Sequence, residues 1–223
     1  MDPAEVPAAP SRPRIPWAIV GFVGIVIAAS AWFLIALTGA VPPPPLDVGE
    51  TATVLRVPQS VAAFSLRDQD GNRFDRSRLE GSWSFVFFGY TSCPAVCPLT
   101  LSNLSDVEKL VDGAPDARGD VQFVFVSVDP ERDTTERLES FVHYFNADFI
   151  GATGTAEELE HLTNALGIYS EKVEGESQGD YLMDHTTSVL LIDPQTRLHA
   201  IFPAPHDPGA MAEAFRKIRM HAG

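Results

Sequence analysis

Two cysteines occur in the 223-residue chain, Cys93 and Cys97, within Gly89-Tyr90-Thr91-Ser92-Cys93-Pro94-Ala95-Val96-Cys97-Pro98. At the start of a helix, C-x-x-x-C spacing puts both sulfurs on one face, because positions i and i+4 are neighbours there. The positive end of the helix dipole lowers thiol pKa values and favours thiolate, which is both a nucleophile and a soft metal ligand. Pro94 and Pro98 suit a first turn that needs few N–H donors. Three chemistries fit the pair: a structural disulfide, a dithiol/disulfide redox couple, and a soft metal site. A disulfide here would close a tiny loop and add little to a core-rich domain. A four-ligand zinc set is not available from two cysteines with no histidine nearby.

A third residue separates the remaining readings. Tyr181-Leu182-Met183-Asp184-His185-Thr186-Thr187 leads into the apolar run SVLLID. Thioredoxin-type oxidoreductases usually place a cis-proline at the start of this strand, beside the cysteines. Here His185, Thr186 and Thr187 occupy the region. A histidine facing a thiolate pair is a metal ligand, and two thiolates with one imidazole suit copper: thiolate selects Cu(I), and imidazole accepts both oxidation states. Asp129 and Asp184 are the carboxylates that could tune such a site from behind the ligands, Asp184 by orienting His185. Asp133 reads as a cap for the helix beginning at Thr134. Met183 reads as core. His206 reads as a loop residue, and His143 and His161 sit on helices without a motif.

The elements that must position these residues follow an α/β rhythm. AAFSLRDQDGNRF reads as a hairpin turning at Asp70-Gly71. SWSFVFFGY is too apolar for a half-exposed strand and is expected at the centre of a sheet. PLTLSNLSDVEKLV is a helix, and VQFVFVSVD is a second buried strand. TTERLESFVHYF and TAEELEHLTNALG are amphipathic helices, the second closed by Gly167. TSVLLID and RLHAIFP form an antiparallel pair, and GAMAEAFRKIRM is the closing helix. The order is α/β and thioredoxin-like. A right-handed crossover puts the strands ending at Tyr90 and Asp129 side by side, with their C-terminal ends on one edge, where α/β proteins place their sites.

Sixteen basic residues face 30 acidic ones, a net charge of −14, which excludes an electrostatic grip on nucleic acid. Trp17 to Leu37 is almost wholly apolar and as a helix would be roughly 32 Å long, enough for a hydrocarbon core of about 30 Å. A cleaved signal peptide, the alternative, has a shorter apolar region of about 7–15 residues. Arg12 and Arg14 precede the segment and no Lys or Arg follows until Arg56. The positive-inside rule keeps the tail in the cytoplasm and sends the rest out. The expected organisation is a cytoplasmic tail over 1–16, a transmembrane helix over 17–37, a Pro-rich linker over 38–60 that includes Pro42 to Pro45, and one domain over 61–223. The expected setting is a bacterial inner membrane, crossed once, with the domain in the periplasm.

FGYTSCPAVCP, VSVDPERDT and DHTTSVLLIDPQTRL together resemble the Sco/SenC family of copper-binding cytochrome c oxidase assembly proteins, from about Phe64 to Arg219. The resemblance implies a thioredoxin-like fold and one copper per chain, Cu(I) or Cu(II), bound by Cys93, Cys97 and His185. It implies a metallochaperone that helps to build the binuclear copper centre of cytochrome c oxidase subunit II, with an upstream periplasmic copper donor as a further partner. The alternative is a membrane-tethered thiol–disulfide oxidoreductase that reduces cysteines of exported proteins through Cys93 and Cys97. One departure is plain. The family usually has Asp between the cysteines, as CPDxCP; Ala95 stands here, and a negative charge beside the ligands is lost.

Overall fold

The computed structural model describes residues 17–38, 46–112, 121–174 and 181–222, without the side chains of 18–20, 36–38 and 112. The chain divides into two units, Met1–Pro44 and Pro45–Gly223. In the first, helix α1 (Trp17–Thr38) forms from the apolar run, and Phe22, Ile25, Trp32 and Leu34 are exposed on it. Among the described residues no helix is long and apolar enough to cross a membrane. The expected span of 17–37 includes positions whose side chains lie outside the description. The whole expected tail, 1–16, and the Pro42 to Pro45 spacer also lie outside it.

The second unit is built on an eight-stranded sheet. Its strands are β1 (Thr53–Ser60), β2 (Ser65–Asp68), β3 (Arg73–Asp75), β4 (Trp83–Gly89), β5 (Val121–Ser127), β6 (Ile150–Thr153), β9 (Val189–Ile192) and β10 (Arg197–Phe202), in the order β1-β10-β9-β4-β5-β6-β2-β3. A separate two-stranded ribbon pairs β7 (Ser170–Glu174) with β8 (Tyr181–His185). The helices are α2 (Val96–Asp112), α3 (Thr135–Phe145), α4 (Ala156–Leu166) and α5 (Pro208–Ala222). β4, β5 and β6 run parallel, and β9 lies antiparallel to β4.

Every residue of β4 is buried, which places this strand at the centre as its apolar run predicts. Alternation divides the core in two. Phe85, Phe87, Phe123, Phe125, Val189 and Leu191 face one layer with α2, α3 and α5. Val86, Phe88, Val124, Val126, Leu190 and Ile192 face the other, with Leu159 and Leu162 of α4. Burying each such side chain contributes about 1.5–3 kcal/mol, so these central strands form a rigid platform. β4 and β5 are in register from Trp83↔Val121 to Gly89↔Ser127, so the two turns that follow them emerge side by side.

The hairpin at Asp70-Gly71 forms as expected, with Gly71 at φ 79°. Gly167 closes α4 in the left-handed conformation, opposite a capping box of Thr155 and Glu158. The structure adds β1, β6 and the β7–β8 ribbon to the elements read from the sequence. The ribbon also fixes the place of His185, which is the last residue of β8.

Candidate metal centre

The turn between β4 and α2 carries the cysteine pair. Gly89 ends β4, and a Cβ there would lie 2.7 Å from Cys97 Sγ and 2.8 Å from Phe125 Cε2. Glycine is therefore what lets the Cys97 sulfur sit against the strand. α2 begins at Val96, so Cys97 is in its first turn, and the Cys97 backbone N–H donates to Cys93 Sγ at 3.4 Å. An amide at a helix N-terminus stabilises negative charge on that sulfur.

Across the cleft, His185 Nε2 lies 3.6 Å from Cys97 Sγ. Its other ring nitrogen, Nδ1, is 3.0 Å from the Thr186 carbonyl. A carbonyl oxygen only accepts, so Nδ1 carries the proton and the Nε2 lone pair faces the sulfurs. The imidazole is thus held in the ligand tautomer before any metal arrives. The rings of Phe87 and Tyr90 meet the imidazole edge-on, at centroid distances of 6.0 and 5.9 Å. One potential ligand atom from each of Cys93, Cys97 and His185 lies within 4.8 Å of the others.

The two thiols divide one proton unequally. Hydrogen bonding from Cys97 pulls the Cys93 thiol well below its ordinary pKa, against the effect of burial, with the backbone amides of Cys97 and Ala95 helping. The same bond, then burial, pushes Cys97 up. Cys93 is the thiolate and Cys97 the proton donor. A soft cation would displace that proton and bind two sulfurs and one neutral nitrogen, giving net charge −1 with Cu(I) and 0 with Cu(II). This donor set therefore fits copper.

The turn is secured by Asp133, which is buried. Its carboxylate accepts the Thr91 backbone N–H at 2.9 Å, the Thr91 hydroxyl at 2.5 Å and the Ser127 hydroxyl at 2.6 Å. The expected role of Asp133 as a helix cap is corrected: Thr134 caps α3 by accepting from Arg137 N–H. Arg137 adds bonds to Thr91 Oγ1 and Ser92 Oγ.

Of the two carboxylates expected behind the ligands, neither bonds His185. Asp184 is exposed, and the Thr186 carbonyl takes the place it was expected to fill. Asp129 is buried and engages Arg132 and Tyr181 instead. Sequence reasoning passed over Arg132, Tyr181, Arg137 and Tyr90; the signal available was that Tyr90 and Arg132 lie within the motifs carrying the resemblance. Met183 packs against both core layers, as expected for a core residue. His206 is buried and directed at the Phe202 carbonyl. His143 and His161 are exposed on α3 and α4. The mouth of the site is a cleft of about 420 Å³ lined by Pro94, Ala95, Val96, Val173, Leu182 and Asp184 beside the ligands. With Ala95 in place of Asp, most of this rim is apolar.

A SCO2-like protein of Rickettsia conorii is 30% identical over 154 residues, spanning 69% of this chain and 74% of that protein. The mitochondrial SCO1 homolog 1 of Arabidopsis thaliana is 35% identical over 160 residues, which are 71% of this chain but only 47% of that longer protein. The crystal structure of Arabidopsis thaliana ScoI with copper bound superposes with a TM-score of 0.67 at 33% identity, covering 71% of this chain and 98% of the other. A sequence profile described as SCO1/SenC matches residues 54–219. That stretch contains the cysteine turn, the Asp133 anchor and the histidine ribbon, and the chain belongs to the SCO1/SenC family.

Proposed function

We propose that this chain is a membrane-anchored copper metallochaperone. It binds one copper through Cys93, Cys97 and His185 and assists assembly of the binuclear copper centre of cytochrome c oxidase subunit II. The observation that carries the copper reading is the convergence of two sulfurs and one correctly oriented imidazole nitrogen within 4.8 Å. When bound, copper would be cargo, held softly enough to be exchanged. The chain's own residues do the rest. The α2 amide stabilises the Cys93 thiolate, Thr186 fixes the imidazole, and Asp133 holds the turn. Copper in a similar solved protein supports the same reading, and the oxidase role follows from the family resemblance.

Anchoring in a bacterial inner membrane, with the domain in the periplasm, rests on the apolar run 17–37 of the sequence and the position of Arg12 and Arg14. Membrane pellets should retain the chain through alkaline washing, and a reporter fused after Gly223 should be active outside the cytoplasm. Recovery of a soluble, shortened chain starting near Val41 would overturn the anchor.

Metal analysis of the purified full chain tests the copper reading. One copper per chain is expected; Cys93→Ala and Cys97→Ala should lose tight binding, and His185→Ala should lose the thiolate–Cu(II) absorption. Disulfide exchange needs only the two sulfurs. A His185→Ala strain should therefore fail to assemble oxidase if the chain delivers copper. Near-normal oxidase in that strain, with protein level controlled and no copper on the protein, would favour the reductase reading.

A further inference from the structure

His185 is carried by an element that does not belong to the main sheet. The β7–β8 ribbon runs in register from Ser170↔His185 to Glu174↔Tyr181, and most of its side chains are exposed. At its base, Thr186 N–H donates to Tyr169 O and Tyr169 N–H to Thr186 Oγ1, both at 3.0 Å. At its other end, the ribbon is gripped by the segment after β5. Arg132 Nη1 donates to the Tyr181 carbonyl at 2.9 Å, and its guanidinium carbon lies 3.5 Å from the Tyr181 ring centroid. Asp129 holds both partners: it takes Arg132 Nε–H at 2.5 Å on one oxygen and the Tyr181 hydroxyl at 2.7 Å on the other. Lys172, from β7, also sits over the Tyr181 ring at 3.9 Å and pairs with Glu131 at 2.7 Å. The same guanidinium lies 5.6 Å from the Tyr90 ring, which contacts His185.

We propose that Asp129, Arg132 and Tyr181 form a clamp that positions His185, so that Arg132 sets the third ligand of the centre without touching it. The clamp ties the ribbon to the segment after β5, the same segment whose Asp133 secures the cysteine turn. Both halves of the donor set are thereby referenced to one stretch of seven residues, Ser127 to Asp133. A five-residue strand with exposed faces has little burial of its own to hold it. Part-buried, charge-assisted bonds and a stacked guanidinium supply what burial does not. Without the clamp the ribbon keeps its base contacts beside His185, but its far end is released and Arg132 no longer bridges Tyr181 to the Tyr90 ring that packs on the imidazole, so the histidine loses its fixed distance to the sulfurs. Arg132 and Tyr181 are positioning residues in this assignment.

The proposal rests on the copper reading, so its test has one arm that needs no metal. In the full chain, held in mild detergent, Arg132→Gln should speed amide hydrogen exchange in β7 and β8 while leaving β4 and β5 at parent rates. Cu(I) alone is then titrated against a chromophoric chelator. Arg132→Gln should lower affinity about tenfold, the scale seen when groups supporting metal ligands are removed. In a His185→Ala background the same substitution should change affinity by less than about twofold, because contributions through one residue are non-additive. Tyr181→Phe keeps the ring and the carbonyl and should retain most of the protection. Should Arg132→Gln not fold, Asp129→Asn is put through the same comparison. Equal affinity losses with and without His185 would overturn the clamp, as would unchanged exchange in the ribbon. A parent chain that binds no Cu(I) would overturn the copper reading instead, with the exchange arm still deciding the clamp.

Discussion

Gly89 shows how tightly the site is specified at single positions. A methyl group there would meet both Cys97 Sγ and Phe125, closer than real Cβ contacts allow. Both neighbours are buried in the platform, so neither can simply rotate away. Gly89→Ala is expected to cost about 1–3 kcal/mol in denaturant unfolding, the usual scale of overpacking. It should also displace the Cys97 sulfur and weaken copper binding. Parent stability together with parent affinity would show that the strand end relaxes freely. Cys93, Cys97 and His185 were legible as a set from residue types alone, because thiolates at a helix start and a histidine opposite are rare by chance. What sequence did not reveal was their support. Asp133 precedes two threonines and reads as a local cap, whereas its partners Thr91 and Ser127 lie 42 and 6 positions away. Pairings of that kind arise only when the chain has folded.

Two turns and a ribbon, each from a different part of the chain, build the centre. β4 and β5 were legible because fully buried strands read as unbroken apolar runs. β6 escaped notice because Ile150–Thr153 is four residues long and lies between two strong helices. β7 escaped because SEKVE is mostly polar, and its pairing with β8 stabilises it more than burial does. The Asp133 carboxylate joins the cysteine turn to the start of α3. Asp133→Asn would turn an amide N–H toward Thr91 and Ser127 donors, leaving buried groups unsatisfied at a cost of about 1–3 kcal/mol. For a domain of this size that corresponds to a fall of very roughly 2–4 °C in Tm per kcal/mol. Thermal unfolding checks it, and an unchanged Tm would show that the turn holds without this carboxylate.

At the scale of the whole molecule, acid stability has one clear contributor away from the centre. His206 is buried and donates Nε2–H to the Phe202 carbonyl at 3.3 Å. Burial lowers its pKa from the ordinary 6.5, the Phe202 bond opposing. As pH falls below 6.5, the unfolded chain takes up a proton that the native state refuses. Stability is therefore lost from that point down to the lower folded value, and is flat with respect to this group beneath it. His206→Gln should shallow the pH dependence of unfolding in that window; an unaltered slope would show that the imidazole reaches solvent. The strand order has a consequence of a different kind, in time. Thr53 of β1 pairs with Ile201 of β10, so the first strand of the sheet waits for the last. At a synthesis rate of about 5–20 residues per second, that wait is roughly 7–30 s. Throughout it, Val54 and Leu55 have no β10 to lie against, and any machinery that handles the emerging chain must keep that strand from finding another partner first.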